Sequence, residues 1–395
     1  MAAVTAGRRT TGRRIVVLDG ARTLGAKILI AGGGRCNVTH DVVGERDFAG
    51  SSPNAIRKVL RRFDVATTVA FFAELGVTLK REETGKLFPT TDRARTVLDA
   101  LVGAARTAGA ELRHPWRVET IDPAPDGFAL AGPAGRFRAR RVVLASGGRS
   151  VPTTGSDGHG YVLAQRLGHG LTPRVLPALV PLVIAPGHFV TALAGVTVPA
   201  TLTVEHPSGK RIAACTGSTL CTHRGVSGPA VLDVSRHWLH AHLDVPDARL
   251  VVSWLPGERP ETIDAALRDL GATSPGRFLA RHLPERLARA LCAAAGVEPS
   301  AAGRTLSRAG RRALADTVGA TVLPVTGDRG FTHAEATAGG VPLAELRLET
   351  MASRVAAGLH LCGEVCDVDG RIGGFNFQWA WASGFVAGAG VVASA

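Results

Sequence analysis

Tyrosine occurs once in the 395 residues, at Tyr161, methionine occurs twice, and aromatic residues make up only 5% of the chain. So few rings leave little to stack on nucleic-acid bases. No nucleic-acid partner is therefore expected, despite a formal net charge of +13. Lysine is also scarce, for of 46 basic residues only Lys27, Lys58, Lys80, Lys86 and Lys210 are lysines. The arginines are scattered, with pairs at 8–9, 13–14, 61–62, 140–141 and 311–312, amid abundant Ala, Gly and Pro. That pattern looks like GC-rich codon usage rather than a selected basic face.

The six cysteines, at 36, 215, 221, 292, 362 and 366, form no C-x-x-C and no dense framework. Free thiols in a reducing cytoplasm are the simplest account. Cys215, Cys221 and His223 lie close in sequence, but no second ligand pair follows at a usual spacing, so no metal is expected. Long apolar runs are missing as well. The first eighteen residues hold four arginines, yet Ile15–Leu18 is too short for a signal segment and runs into Asp19. Trp379–Ala395 carries no charge but is rich in Ala, Gly and Ser, which predicts a buried terminal helix rather than a membrane anchor. A chain of this length supports two or three domains.

Several catalytic signatures are absent too. Gly20–Lys27 has one residue too many for a P-loop and no following Ser or Thr. No G-x-S-x-G elbow occurs. Ile15–Leu18 reads as a buried strand ending in Asp19, the place where a dinucleotide-binding βαβ unit puts the acid that takes ribose hydroxyls. The first strand and G-x-G-x-x-G turn of such a unit do not precede it.

What is present has an ordered texture. Pro53–Leu75 carries one helical apolar stripe, Ile56, Val59, Leu60, Phe63, Val69, Phe72 and Leu75. Thr78–Phe88 reads as two short strands around Thr84-Gly85, and Ala94–Ala108 as a helix. Strand-like pieces follow at 111–118, 128–131 and 137–139. Arg141–Leu144 is then an apolar strand stopping at Ala145, Ser146, Gly147 and Gly148, small enough for backbone amides to approach a ligand. From Pro173 the chain turns to short β-rich runs at 196–204, 211–215 and 250–254. Residues 258–315 are helical in spacing, and 321–326 and 329–337 return to strand. Gly363 and Glu364 close a strand, and Gly373-Gly374 opens a helix whose free amides suit a phosphate or an electron-rich ring.

Four blocks carry a resemblance: Ala31–Asn37 (AGGGRCN), Thr222–Pro229 (THRGVSGP), Ala336–Gly340 (ATAGG), and Gly363–Gly370 (GEVCDVDG) running into Gly373–Gln378 (GGFNFQ). In that order they resemble the BaiN/RdsA-type family of NAD(P)/FAD-dependent oxidoreductases, which includes aminoacetone oxidase-like flavoproteins. The resemblance spans nearly the whole chain from Ile15. It implies an α/β fold with a Rossmann-like FAD-binding domain of the two-dinucleotide-binding flavoprotein type. A β-barrel-like domain carrying a helical subdomain would interrupt it. The expected boundaries are 1–172 for the first part of the FAD domain, 173–257 for the inserted β-domain and 258–318 for the helices. The β-domain would return over 319–345, and 346–395 would close the FAD domain.

Carried over residue by residue, Asp19 would take the adenosine ribose. Lys27 and the Gly32, Gly33, Gly34, Arg35, Cys36, Asn37 loop would run along the pyrophosphate and ring. Ala145, Ser146, Gly147 and Gly148 would support the adenine half. Gly363 and Glu364, with Gly374, Phe375, Asn376 and Phe377, would meet the ribityl chain and flavin. The resemblance further implies FAD as cofactor, NAD(P)H as electron donor, and a small organic substrate or oxygen as acceptor, in a cytoplasmic protein without a membrane partner. It carries no signal of oligomeric state.

The missing turn belongs roughly twenty residues ahead of Met1, judged from the length of a βαβ entry. Either translation starts upstream, which the intact later glycine sites favour, or the site has decayed and the chain is a non-catalytic binding or scaffold protein. In both cases the chain as given is expected to retain FAD weakly or not at all. Cys36 as a redox group, Arg35 as positive charge beside a reduced ring, and His223 on the substrate side are the catalytic candidates. A salt bridge fits Arg35 equally well, and a tight turn fits His223, Arg224 and Ser227 better than catalysis. A strand-end role fits His333 and Glu335 better than a place on the substrate side, and Asp367 and Asp369 read as part of a turn rather than a metal site.

Overall fold

The computed structural model describes residues 1–393, and the chain divides into two compact units, Met1–Pro177 with Glu335–Ala395, and Ala178–Ala334. Ser394 and Ala395, the last two residues of the predicted terminal helix, lie outside the described residues.

The first unit is α/β. Ile15–Leu18 pairs in parallel with Ala110–Arg113, and Val142–Leu144 pairs in parallel with Leu359–Leu361. The second pair is covered on both faces, as parallel strands require, and Leu144, Leu359 and Leu361 are buried. The stripe over Pro53–Leu75 does not make one helix. It splits into Pro53–Leu60 and Val65–Glu74, because Asp64 restarts the chain as an N-cap, its Oδ1 accepting from Thr67 N at 2.8 Å. The expected strand over 111–118 ends at Arg113, and a separate meander follows at Thr120–Ala124, Gly127–Gly132 and Gly135–Ala139.

The helix Phe375–Ala393 runs through the core of this unit. Its small residues set the packing distance, since a methyl group at Gly388 would stand 2.3 Å from the carbonyl oxygen of Ala2. The helix Ala2–Arg8 thus lies directly against its backbone.

The second unit is built on a seven-stranded sheet in which Thr197–Glu205 and Arg211–Thr222 form the long central hairpin. Thr321–Leu323 pairs at one end of the strand order and Val325–Asp328 at the other. Pro324 alone separates them in the chain; it has no N–H to donate to a ladder, and its carbonyl accepts from Ala185 N at 2.9 Å. The predicted strand over 329–337 is a turn up to Ala334 and a short strand only at Ala336–Ala338. Helices at Pro260–Arg268, Pro275–Leu279, Glu285–Ala294 and Arg308–Gly319 bury Leu267, Leu287, Leu291 and Leu314 completely. Truncating any of these to alanine costs about 2–5 kcal/mol. The 16-residue helix Pro229–Asp244, within what reads as pure β sequence, was not expected. Proline at its first turn and the buried Val231, Val234, Trp238 and Ala241 are the signals that mark it.

Candidate functional site

The chemistry-bearing residues of the first unit converge from four segments. The first is the glycine loop, where Gly32, Gly33 and Gly34 have φ of 57°, 68° and 83° and Cys36 has 62°. Gly32 is required sterically, as a methyl there would meet Asn37 N and the Phe88 ring at 3.0 Å. Gly33, by contrast, faces open space. The loop is fastened to the terminal helix by Trp381 Nε1 donating to Val38 O at 2.8 Å and by Thr39 Oγ1 donating to Gln378 Oε1 at 2.7 Å.

Just before that loop, Lys27 Nζ donates to Ser150 Oγ at 2.6 Å and to Ser150 O at 3.2 Å. Ser150 Oγ donates in turn to Glu364 Oε1 at 2.9 Å. Lys27 therefore ties the glycine loop to the turn after Val142–Leu144 and to the Gly363-Glu364 corner. Burial lowers the Lys27 ammonium below its ordinary range, and the nearby Glu364 and Glu335 partly offset this. Thr337 Oγ1 accepts from Arg149 N and Ser150 N at 2.8 and 3.1 Å. Gly148 sits so close that a Cβ would meet Thr337 Oγ1 at 2.5 Å and Glu364 Oε1 at 2.8 Å.

Ala145 is exposed, while Ser146 faces the other way. A Cβ at Gly160 would stand 1.7 Å from Ser146 Oγ, so that hydroxyl points toward the His159–Arg166 helix and leaves its backbone for a ligand. Gly147 has φ of 76° and abuts Ser156. Asp19 lies at the carboxyl end of its strand and accepts from Ala21 N at 2.8 Å. A methyl on Gly155 would be 3.7 Å from Ala21 Cβ, which places the Asp19 turn beside the same loop.

The Gly363 carbonyl accepts from Trp379 Nε1 at 3.1 Å and its amide donates to Ser383 Oγ at 2.9 Å. A Cβ on Gly363 would meet nothing. Gly374 crosses Thr39 so tightly that its Cβ would come within 2.6 Å of the Thr39 carbonyl carbon. Phe375 stacks on His40 with ring centroids 4.8 Å apart, and Phe377 stacks on Trp381 at 5.4 Å. Asn376 accepts from Gly370 N at 2.8 Å and donates to Gly370 O at 3.0 Å, so its amide closes a local turn.

The three catalytic candidates fare differently from these. Arg35 Nη1 meets Glu82 Oε1 at 2.6 Å and lies 3.7 Å from Asp92 Oδ1, with the guanidinium 4.0 Å above the Phe88 ring. It acts as a structural clamp rather than as charge beside a ring. Cys36 is fully buried, and burial pushes its thiol up to about 12, so no thiolate is available at neutral pH. His223 sits at the exposed tip of the hairpin between Arg211–Thr222 and Gly225–Ser227, in the second unit. Thr222 Oγ1 closes that tip by donating to Gly225 O at 3.1 Å. Among the described residues no group of three or more His, Cys, Asp or Glu stands close enough to hold a metal ion. Cavities of about 340 Å³ beside Ser51, Leu343 and Arg354, and about 610 Å³ beside Gly7, Leu75 and Ala108, touch none of the converging residues.

The profile of the HI0933-like protein Rossmann domain matches residues 1–390. The chain belongs to that family. A 3-dehydro-bile acid delta(4,6)-reductase of Clostridium scindens is 34% identical over 393 residues, covering 98% of this chain and 95% of the relative. A ribosomal RNA dihydrouridine synthase of Escherichia coli is 32% identical over 386 residues, covering 97% and 93%. The same synthase of Haemophilus influenzae is 29% identical over 380 residues, covering 95% and 91%. This HI0933-like chain accordingly has a Rossmann-type FAD-binding flavoprotein fold and belongs among flavin-dependent oxidoreductases. The expectation of a small-molecule partner and no nucleic acid does not follow from the family alone, since relatives include ribosomal RNA enzymes. No helix among the described residues is long and apolar enough to cross a membrane.

The residues fit the cofactor. Asn37 is buried with its Oδ1 unpartnered, and a Cβ at Gly33 or Gly363 would meet nothing, which leaves room beside both. Such groups suit a polar, extended ligand better than a packed core. When bound, FAD supplies the two-electron chemistry, and the protein orients it and sets its surroundings.

Proposed function

We propose that the chain uses FAD to reduce a carbon–carbon double bond conjugated to a carbonyl in a small organic molecule, with NAD(P)H as electron donor. The activities of two relatives, the bile acid reductase and the ribosomal RNA dihydrouridine synthase, support the reaction class. A delta(4,6)-unsaturated 3-dehydro bile acid and the uracil ring of uridine both present an alkene polarised by a carbonyl. The scarcity of aromatic residues supports a small molecule over RNA.

The observation that carries the cofactor reading is the Lys27–Ser150–Glu364 chain. It draws the glycine loop, the Ala145–Gly148 turn and the Gly363-Glu364 corner together around open backbone. In this reading Asp19 takes the ribose, the Gly32–Asn37 loop and Lys27 take the pyrophosphate and ring side, and Gly363 to Phe375 line the flavin end. In the second unit, the Pro324 junction between the two ends of the strand order supports a barrel-like sheet.

The test is spectroscopic. Purified protein titrated with FAD, with the free flavin left in place, perturbs the flavin absorbance band as binding does. The band bleaches anaerobically with NADH or NADPH and returns on adding 2-cyclohexenone. A band that the protein leaves unperturbed sinks the cofactor assignment, and a band that neither nucleotide bleaches sinks the donor.

A further inference from the structure

Glu335 reads from sequence as a strand-end residue more readily than as a substrate-side group, and the fold sets it among the converging groups. Its carbonyl lies 3.4 Å from Ser150 Oγ, the hydroxyl that joins Lys27 to Glu364. Two residues on, Thr337 Oγ1 holds the Arg149 and Ser150 amides, which fixes the backbone at this point. The Glu335 side chain is open to solvent and has no hydrogen-bond partner in the protein. It nonetheless stands within protein dense enough for burial to raise its carboxyl above the ordinary glutamate value.

Two cations act on that carboxyl, Lys27 and Lys86. Lys27 borders the glycine loop, whereas Lys86 borders the opposite wall. A methyl at Gly373 would stand 3.5 Å from Lys86 Cε and 3.6 Å from the His40 ring, which stacks on Phe375. Glu335 therefore stands at the Ser150 junction, where the glycine loop and the Gly363-Glu364 corner meet, and its side chain is free while Glu364 is engaged by Ser150.

We propose that Glu335 is the proton donor to the substrate, an inference that rests on the function proposed above. Hydride arriving at the far carbon of the conjugated alkene pushes the π pair onto the carbon next to the carbonyl. The Glu335 O–H bond then breaks, a C–H bond forms at that carbon, and the substrate has gained one hydride, which carries both electrons, and one proton. Lys27 and Lys86 stabilise the carboxylate left behind, and solvent reprotonates it at the open side. Reduced flavin is the reductant, regenerated by a nicotinamide nucleotide or, in the test, by dithionite.

The experiment takes FAD-loaded protein reduced with dithionite and mixes it anaerobically with 2-cyclohexenone, following flavin reoxidation in a single turnover. Glu335→Gln is expected to slow reoxidation on the order of 100-fold and Glu335→Asp to recover part of the loss, the usual range for removing a positioned acid. A second readout needs no turnover. The infrared carbonyl stretch of a protonated carboxyl, titrated in the unreacted FAD-loaded protein, loses one component in Glu335→Gln. In Lys86→Met that component shifts to higher pH, because a cation that favoured the carboxylate is gone. Wild-type rates in Glu335→Gln, or an unchanged infrared titration, overturn the assignment of Glu335 alone. Wild-type protein that fails to take up FAD, or takes it up and leaves the enone untouched, overturns the proposed function and this inference with it.

Discussion

Arg35 Nη1 donates to Glu82 Oε1 at 2.6 Å while its guanidinium lies 4.0 Å above the Phe88 ring. The pair joins the end of the glycine loop to the Leu79–Arg81 and Lys86–Pro89 hairpin. Both charged side chains remain over a third exposed, at 39% and 34%, so solvent screens the ion pair. Arg35→Met is therefore expected to cost about 1 kcal/mol of stability, most of it from the ring contact and lost packing. The urea-unfolding midpoint measures this. In the FAD-loaded protein the flavin reduction potential should stay where it is, and a clear shift would restore Arg35 to the cofactor.

Thiol chemistry gives a second prediction. Cys36, Cys221, Cys292, Cys362 and Cys366 are buried, and only Cys215 is partly accessible. Burial pushes the Cys36 and Cys362 thiols to about 12 and Cys221 and Cys292 to about 11. Iodoacetamide at neutral pH should modify one cysteine in the native protein and six after denaturation, as counted by intact mass. Rapid native alkylation of Cys36, mapped by peptide analysis, would reopen its redox role.

These placements show what could be read before the fold was known. The glycine cluster was legible because left-handed φ at Gly32 and Gly33 leaves a mark in residue type itself. The partners of Arg35 at 82 and 88, and the meeting of Lys27, Ser150 and Glu364, were not, since nothing local connects residues so far apart in the chain. Asn376 looked like a ligand group because it stands in a glycine-rich motif, yet its amide closes on Gly370, six residues back. The stripe over Pro53–Leu75 kept a helical period across a break that only the Asp64 cap reveals. Periodicity reports the buried face and is silent about interruptions that preserve it.

His360 supplies a third prediction, on pH. It lies on the central Leu359–Leu361 strand and is 1% exposed. Burial lowers its pKa from 6.5 to about 4, against a partly offsetting backbone hydrogen bond at Gly358 and with a smaller lowering from Arg141. The folded state therefore stays neutral where the unfolded chain binds a proton. Stability from this residue is constant above pH 6.5 and falls as pH drops toward 4, by on the order of 3 kcal/mol across the window. Urea melts of wild type against His360→Leu from pH 7.5 to 4.5 measure it. The leucine variant should be the more stable at low pH and should lose this slope.

A buried array in the same unit provides the sharpest negative expectation. His169 Nδ1 bonds Glu345 Oε2 at 2.6 Å, and its Nε2 lies 2.8 Å from Ser353 Oγ. Carboxylate, imidazole and hydroxyl in that order match a hydrolase triad in distance. The hydroxyl, however, accepts amides from Val355 at 3.0 Å and Ala356 at 2.8 Å, and Ser353 is only 7% exposed. Those contacts fix Ser353 Oγ in a turn and leave no approach for a carbonyl. Glu345 also accepts the Gly170 amide at 3.1 Å, so the array ties the end of the His159–Arg166 helix to the Leu346–Arg347 and Ala352–Ser353 hairpin. A fluorophosphonate probe should not label Ser353. His169→Ala should lower stability by about 2–4 kcal/mol, because it strands a buried hydroxyl and removes a charge-assisted bond. His169→Gln, which can still donate toward Glu345, should recover part of that loss. Labelling at Ser353 that disappears in His169→Ala would make the array a catalytic site after all.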